Sequence, residues 1–157
     1  MTRMNVRPYH PRDITALARL FTDTVHLVSA RDYSAEQSAA WAPDPPDLEH
    51  WRTRLGGLIA LVAENASGIV GFATFEPDGH LDHLYVHYRF LRQGVATALY
   101  RRIEQEARSR GLSRIHTEAS TTARPFFGRM GFKMIAPQTV EHGGVMFTNY
   151  RMEKLLI

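Results

Sequence analysis

An apolar run that ends at Val86, a loop carrying His87, Arg89 and Arg92, and then Gly94 opening a long amphipathic stretch constrain this chain more than any other feature. The spacing predicts a helix over 95–110, with Ala98, Leu99, Ile103 and Ala107 as its apolar stripe and Gly111 as its stop. A strand feeding a long helix through a glycine turn belongs to α/β architectures, where the helix packs back across the sheet. The start of such a helix presents N–H groups without intrahelical acceptors, at the positive end of the helix dipole. Gly94 puts no Cβ in the path of an approaching group, and Ala96 keeps the next contact small. The turn therefore suits phosphate oxygens, with Arg89 and Arg92 adding charge at its rim. A plain helix N-cap at Gly94 accounts for the same residues without a ligand.

The other elements fall around this turn. A first strand over 3–8 leads to a helix opened by Pro11 or Asp13, with Ile14, Leu17, Ala18, Phe21, Val25 and Val28 at helical spacing. The polar segment 30–46 holds Tyr33 and Trp41 and stops at Pro43-Asp44-Pro45-Pro46; within it Ser34 and Gln37 form a capping-box pattern for a helix over 34–41. Asp47 starts a helix that Gly56-Gly57 ends. Strands over 58–64 and 69–75 flank the turn 65–68, and Pro77-Asp78-Gly79 leads into a strand over 80–86. After the long helix come a strand over 114–120, a helix over 122–130, and strands over 132–140 and 145–156 joined at Gly143-Gly144. This order predicts one α/β domain over 1–157: a mixed, mostly antiparallel central sheet of about seven strands, flanked by about four helices.

Composition narrows the function. With 44% hydrophobic residues the chain can bury a core, and no apolar run approaches the ~20 residues of a membrane span. The N-terminal arginines precede no signal-peptide stretch, so a cytoplasmic protein with no membrane partner is expected. The absence of cysteine excludes disulfides, thiolate metal sites and a cysteine nucleophile, and no metal is expected. Net charge is only +3, and the densest basic cluster, Arg101, Arg102, Arg108, Arg110 and Arg114, is interleaved with Glu104 and Glu106. That is a solvated helix face rather than a nucleic-acid surface.

The stretch 83–99 resembles the acetyl-CoA signature of the GNAT superfamily of N-acetyltransferases, in which Gln/Arg-x-x-Gly-x-Gly/Ala opens a long helix. Aligned on Gly94 and Ala96, the first position is Leu91, where Gln or Arg is usual. Further on, the run from Ser120 to Phe132 is similar to the family's second motif, Asn-x-x-Ala-x-x-Phe-Tyr-x-x-x-Gly-Phe, matched by Ala123, Phe126, Phe127, Gly131 and Phe132. The runs 29–34 and 123–127 further resemble a bacterial, YafP-like branch of that family.

The resemblance implies direct acetyl transfer from acetyl-CoA to an amine of a small molecule or a protein, on a monomer or homodimer. A non-catalytic acyl-CoA-binding module on the same fold is the alternative. The turn Leu91, Arg92, Gln93, Gly94, Val95, Ala96 and Thr97 would hold the cofactor's pyrophosphate, and Leu84, Tyr85 and Val86 its pantetheine arm. Ser120, Phe126 and Phe127 would lie beside the arm, and the last two are equally explained as core. For the base, the strand's period of two puts His80, Asp82, Leu84 and Val86 on one face. His80 lies where the histone-acetylating branch carries a glutamate, and Asp82 and Glu118 compete for the role. His83 and Tyr85 point to the other face, as structural residues. Phe127 stands where the family often places a tyrosine acid, so the thiolate leaves unaided or Tyr150 or Ser120 serves. Tyr33 and Trp41 are placed in the substrate wall, or in a lid packed on the core.

Overall fold

The computed structural model describes residues 3–28 and 31–156. Its elements run β1 (Asn5–Pro8), α1 (Ile14–Leu27), α2 (Ala35–Trp41), α3 (Leu48–Gly56), β2 (Ile59–Asn65), β3 (Gly68–Phe75), β4 (Leu81–Val86), α4 (Val95–Ser109), β5 (Arg114–Ala119), α5 (Arg124–Arg129), β6 (Lys133–His142) and β7 (Val145–Leu155). Local chemistry fixes several of these ends. Ser34 Oγ accepts from Gln37 N at 3.0 Å while Gln37 Oε1 accepts from Ser34 N at 2.9 Å, the reciprocal cap expected for α2. Asp47 Oδ1 accepts from the N–H groups of Glu49 and His50 and starts α3. Before α1 a short 3₁₀ turn, Pro11–Asp13, intervenes. Asp13 there accepts from His10 N and from Arg7, whose guanidinium holds the Asp13 carboxyl below its ordinary pKa.

Instead of one mixed sheet, two antiparallel sheets form, ordered β1-β2-β3-β4 and β5-β7-β6. Helices α1 and α3 pack on one face, around Leu17, Val25, Trp51, Val62 and Phe72. Helix α4 covers the other with Leu99, Ile103 and Ala107 against Ala73, Phe75 and Ile115. Strand β3, between β2 and β4, is buried on both faces. Five α-helices flank the sheets, one in each of the five segments where spacing and caps placed a helix.

The sheets meet where His80 and His116 form a parallel bridge, reinforced by His116 N donating to Gly79 O at 3.1 Å and Thr117 Oγ1 to Leu81 O at 2.8 Å. Beyond that point β4 and β5 part. Phe75 pairs with Leu81 and Thr74 with His83, which leaves Asp82 as an extra residue in β4. This bulge breaks the strand's alternation. Leu81 turns into the α4-side core that Leu84 and Val86 share, while Asp82 reaches α3. The single face expected for His80, Asp82, Leu84 and Val86 is thus interrupted at Asp82.

Candidate active site at the parting of two strands

The gap between β4 and β5 opens into a cavity of about 850 Å³. Leu81–Tyr85 and Thr117–Ser120 form its floor, and α1, α2, α3 and the β6–β7 hairpin form its walls. On the α4 side, the turn after β4 is held in an unusual backbone shape. Arg92 has φ 61° and Gly94 φ 81°, and Arg92 is the one non-glycine residue with positive φ among those described. Such a residue is strained by about 1–3 kcal/mol and tends to occur at functional sites. Left-handed residues alternating in a turn gather N–H groups into a concave anion site. Helix α4 begins at Val95 with no side-chain cap, so its first N–H groups are left to another acceptor, and a Cβ on Gly94 would meet nothing within 4 Å. Leu91 is exposed at this turn.

At the apex of the gap, His80 Nδ1 lies 3.0 Å from Glu76 Oε1 and Nε2 lies 2.8 Å from Glu118 Oε2. A carboxylate only accepts, so both ring nitrogens must donate and the ring is an imidazolium. Its hydrogen bonds to Glu118 and then Glu76 raise the His80 pKa from 6.5 to about 9, against the opposing effect of burial. His80 in this state cannot receive a proton at neutral pH, which removes it as the resting base. Glu118 is held below the ordinary glutamate pKa by the same bond and lines the cavity. Asp82 Oδ2 accepts from Arg54 Nε at 3.0 Å and from its terminal nitrogen at 2.6 Å. Glu76, His80 and Asp82 bring potential ligand atoms within 4.8 Å of one another, but Arg54 and Glu118 already engage them.

The raised pKa has a consequence for stability. Folding lifts it above the unfolded value, so the His80 contribution is full below pH 6.5 and is lost as pH rises through about 9. An NMR titration of the His80 imidazole should give a midpoint near 9, falling towards 6.5 in Glu118→Gln. A wild-type midpoint near 6.5 would contradict the bridged geometry.

The other expected residues divide. Leu84, Tyr85, Ser120 and Phe127 line the cavity. Ser120 Oγ accepts from Ala123 N at 3.0 Å, which leaves its own hydroxyl proton free to donate. Phe127, 3% exposed, is also core, packed edge-on to Phe132 at 5.1 Å, and Phe126 flanks it. Tyr150 lies outside the cavity lining, its ring beneath the Arg124 guanidinium at 4.4 Å. Tyr33 and Trp41 do sit in the wall, but the Tyr33 hydroxyl is engaged: it accepts from Thr121 N at 2.8 Å and donates to Thr148 O at 3.4 Å. His83 and Tyr85, expected to be structural, are half-buried and reach the cavity. His83 Nδ1 meets Thr74 Oγ1 at 2.7 Å, and burial drives its pKa down while pushing that of Tyr85 up. Arg54, Trp51, Glu141, Phe147 and Asn149 complete the walls without having been singled out in the sequence, where no local pattern marks them. Of the segment 29–34, Ser29 and Ala30 lie outside the described residues. No described helix is long and apolar enough to cross a membrane.

A strand pair parting over a cavity, followed in the chain by an uncapped, left-handed glycine turn, suits a transferase. Comparison agrees. A family model for the acetyltransferase (GNAT) domain matches residues 29–154. The chain is 33% identical over 152 residues to the uncharacterised N-acetyltransferase YafP of Escherichia coli (strain K12), covering 97% of this chain and 96% of that one. It is similar to the crystal structure of a GCN5-related N-acetyltransferase from Rhodopseudomonas palustris, with TM-score 0.93, 35% identity, and 99% and 98% of the two chains covered. It also shares its fold with a PaiA N-acetyltransferase from Thermoplasma acidophilum in complex with coenzyme A, with TM-score 0.78, 17% identity, and 98% and 99% covered. The protein is an acyltransferase. It belongs to the GNAT acetyltransferase family.

Proposed function

We propose that the whole chain is one acetyl-CoA-dependent N-acetyltransferase domain, moving the acetyl group directly to an amine of a small molecule or peptide. The observation that carries this reading is the cavity that opens where β4 and β5 part, with the left-handed turn at Arg92 and Gly94 following β4 in the chain. The turn fits the donor. Its left-handed residues and the uncapped start of α4 offer main-chain N–H groups from Leu91–Thr97 to a pyrophosphate, so a leucine at the first position costs little. The edge that β4 turns away from β3, at Leu84, Tyr85 and Val86, is left for the pantetheine arm, beside Ser120, Phe126 and Phe127. Bound acetyl-CoA supplies a thioester, whose acyl carbon bonds to the amine nitrogen as the C–S bond breaks.

The chain's residues do the rest. Glu118 and Asp82 draw the ammonium to the gap, and Glu118 takes its proton through the carboxylate oxygen that His80 leaves free. His80 holds the Glu118 carboxylate in place. Phe127 offers no proton to the departing sulfur. A thiol pKa of roughly 8–9 makes unaided departure tolerable. Of the two hydroxyls available as donors, Ser120 lines the cavity and Tyr150 does not.

Thiol release from acetyl-CoA, followed with and without a panel of primary amines, tests the proposal. Amine-dependent release together with CoA binding is expected. No release with any amine, and no calorimetric signal at millimolar CoA, would contradict it.

A further inference from the structure

The hydroxyl of Tyr33 stands inside a strand ladder. In an antiparallel pair the bonded positions recur at every second residue. Between β5 and β7, Leu156 N donates to Ser113 O, directly opposite it, and the register runs on to Ala119 facing Tyr150. Continued past Ala119, it sets Thr121 opposite Thr148 at a bonded position, where Thr121 N would reach Thr148 O. That direct bond is replaced. Thr121 N donates to Tyr33 Oη at 2.8 Å, and Tyr33 Oη donates to Thr148 O at 3.4 Å. One phenol oxygen thus holds the two strands apart where β5 ends beside the cavity.

What that spacing sets is Ser120, which lines the cavity. The Ser120 carbonyl and the Thr121 N–H belong to one planar peptide unit. Tyr33 holds the unit by its N–H, and Arg124 N holds it by its carbonyl at 2.9 Å. Ser120 Oγ accepts from Ala123 N within the same turn. The phenol that anchors this turn is itself fixed, since Tyr33 is buried and its ring meets Trp41 edge-on at 5.3 Å. Beside it, Asp32 Oδ2 accepts from Thr122 Oγ1 at 2.7 Å, but that bond is exposed to water, which replaces it at little cost.

We propose that Tyr33 is a positioning residue: its hydroxyl, inserted between β5 and β7, sets the place of Ser120 beside the departing sulfur. The inference rests on the transferase reading above and adds a residue that acts through Ser120. The Ser120 hydroxyl donates a hydrogen bond to the sulfur as the C–S bond breaks, and it keeps its proton. Without the phenol oxygen, Thr121 N and Thr148 O close on each other, and the turn that carries Ser120 moves with them. A misplacement of about 1 Å at a reacting centre costs on the order of a hundredfold in rate. Tyr33→Phe keeps the ring and its packing and removes only the bridge.

Thiol release from acetyl-CoA, with the fastest amine of the panel, reads kcat and KM for Tyr33→Phe, Ser120→Ala, the double variant and Thr122→Val. Tyr33→Phe and Ser120→Ala should each lower kcat about tenfold, with KM for acetyl-CoA near the wild-type value. The double variant should be no slower than the slower single, because the two side chains act as one unit, a result that mere loss of structure would not produce. Thr122→Val removes only the exposed neighbouring bond and should keep the wild-type kcat. An unchanged kcat in Tyr33→Phe, losses that multiply in the double variant, or an equal loss in Thr122→Val would overturn the inference and leave the transferase reading intact. Amide mapping with CoA reads the same point without turnover. CoA should shift the Ser120 amide in wild type, and in Tyr33→Phe that shift should shrink while those at Leu91–Thr97 persist. A Ser120 shift unchanged in the variant would overturn the inference alone, and no CoA shift anywhere in wild type would overturn both readings. Absence of release with every amine would count against the transferase reading, and the Ser120 shift would still decide the role of Tyr33.

Discussion

The Gly94→Asp protein should bind CoA about a hundredfold more weakly than wild type, a loss of ~2.7 kcal/mol, with its fold retained. A Cβ at Gly94 meets nothing within 4 Å, so the side chain itself has room. The backbone is a different matter. At φ 81° any Cβ carries a left-handed penalty of about 1–2 kcal/mol. The aspartate adds a negative charge at the positive end of α4, where the pyrophosphate is proposed to sit. Gly94→Ala separates the two effects, because it has the strain without the charge. The alanine variant should keep most of the affinity, and Leu91→Ala nearly all of it, since main-chain groups are the proposed ligands. Calorimetric titration of CoA into each variant reads the result. An aspartate variant that binds as tightly as the alanine variant would place the phosphates elsewhere.

Gly79→Ala should be the most destabilising alanine substitution among the turn glycines, by about 3–5 kcal/mol. Two costs combine there. The residue has φ 100°, and a Cβ would lie 2.5 Å from Arg114 O, far inside contact distance. The turn is closed by Gly79 N donating to Glu76 O at 2.9 Å and Glu76 N to His80 O at 2.8 Å, so it has little freedom to yield. What must move is the weld between the two sheets, where Gly79 O accepts from His116 N. For a domain of this size the loss corresponds to a fall in Tm of about 10 °C. Gly68→Ala is the control. It has a similar φ of 111°, but its Cβ would meet nothing within 4 Å, so backbone strain alone should cost about 1–2 kcal/mol. Equal Tm changes in the two variants would show that β5 does not press on this turn.

What the sequence disclosed was governed by contacts a few residues apart. The caps at Ser34 and Asp47, the β2–β3 hairpin turn and the glycine start of α4 all depend on neighbours within about four residues, and the structure has each where spacing put it. The site's charges were another matter. His80 meets Glu118 across 38 residues, and Arg54 meets Asp82 across 28. Without those partners His80 reads as an ordinary imidazole near pKa ~6.5, hence a base; with them it is a held cation. The Asp82 bulge was equally hidden, because register is a property of a strand pair. Phe147 and Asn149 reach the cavity because the β6–β7 hairpin folds against α2, where Gln37 Nε2 donates to Met146 O at 3.0 Å. Nothing local to the last strand announces that contact.

The central claim, that the donor lies along β4 and on the turn before α4, is tested most directly by mapping backbone amide shifts as CoA is added to the ¹⁵N-labelled protein. The account predicts that the largest changes fall on Leu84–Val86 and Leu91–Thr97, with smaller ones at Ser120 and Phe127, and that β1 and the β6–β7 hairpin tip stay unmoved. Shifts confined to other surfaces, or none at saturating CoA, would contradict it.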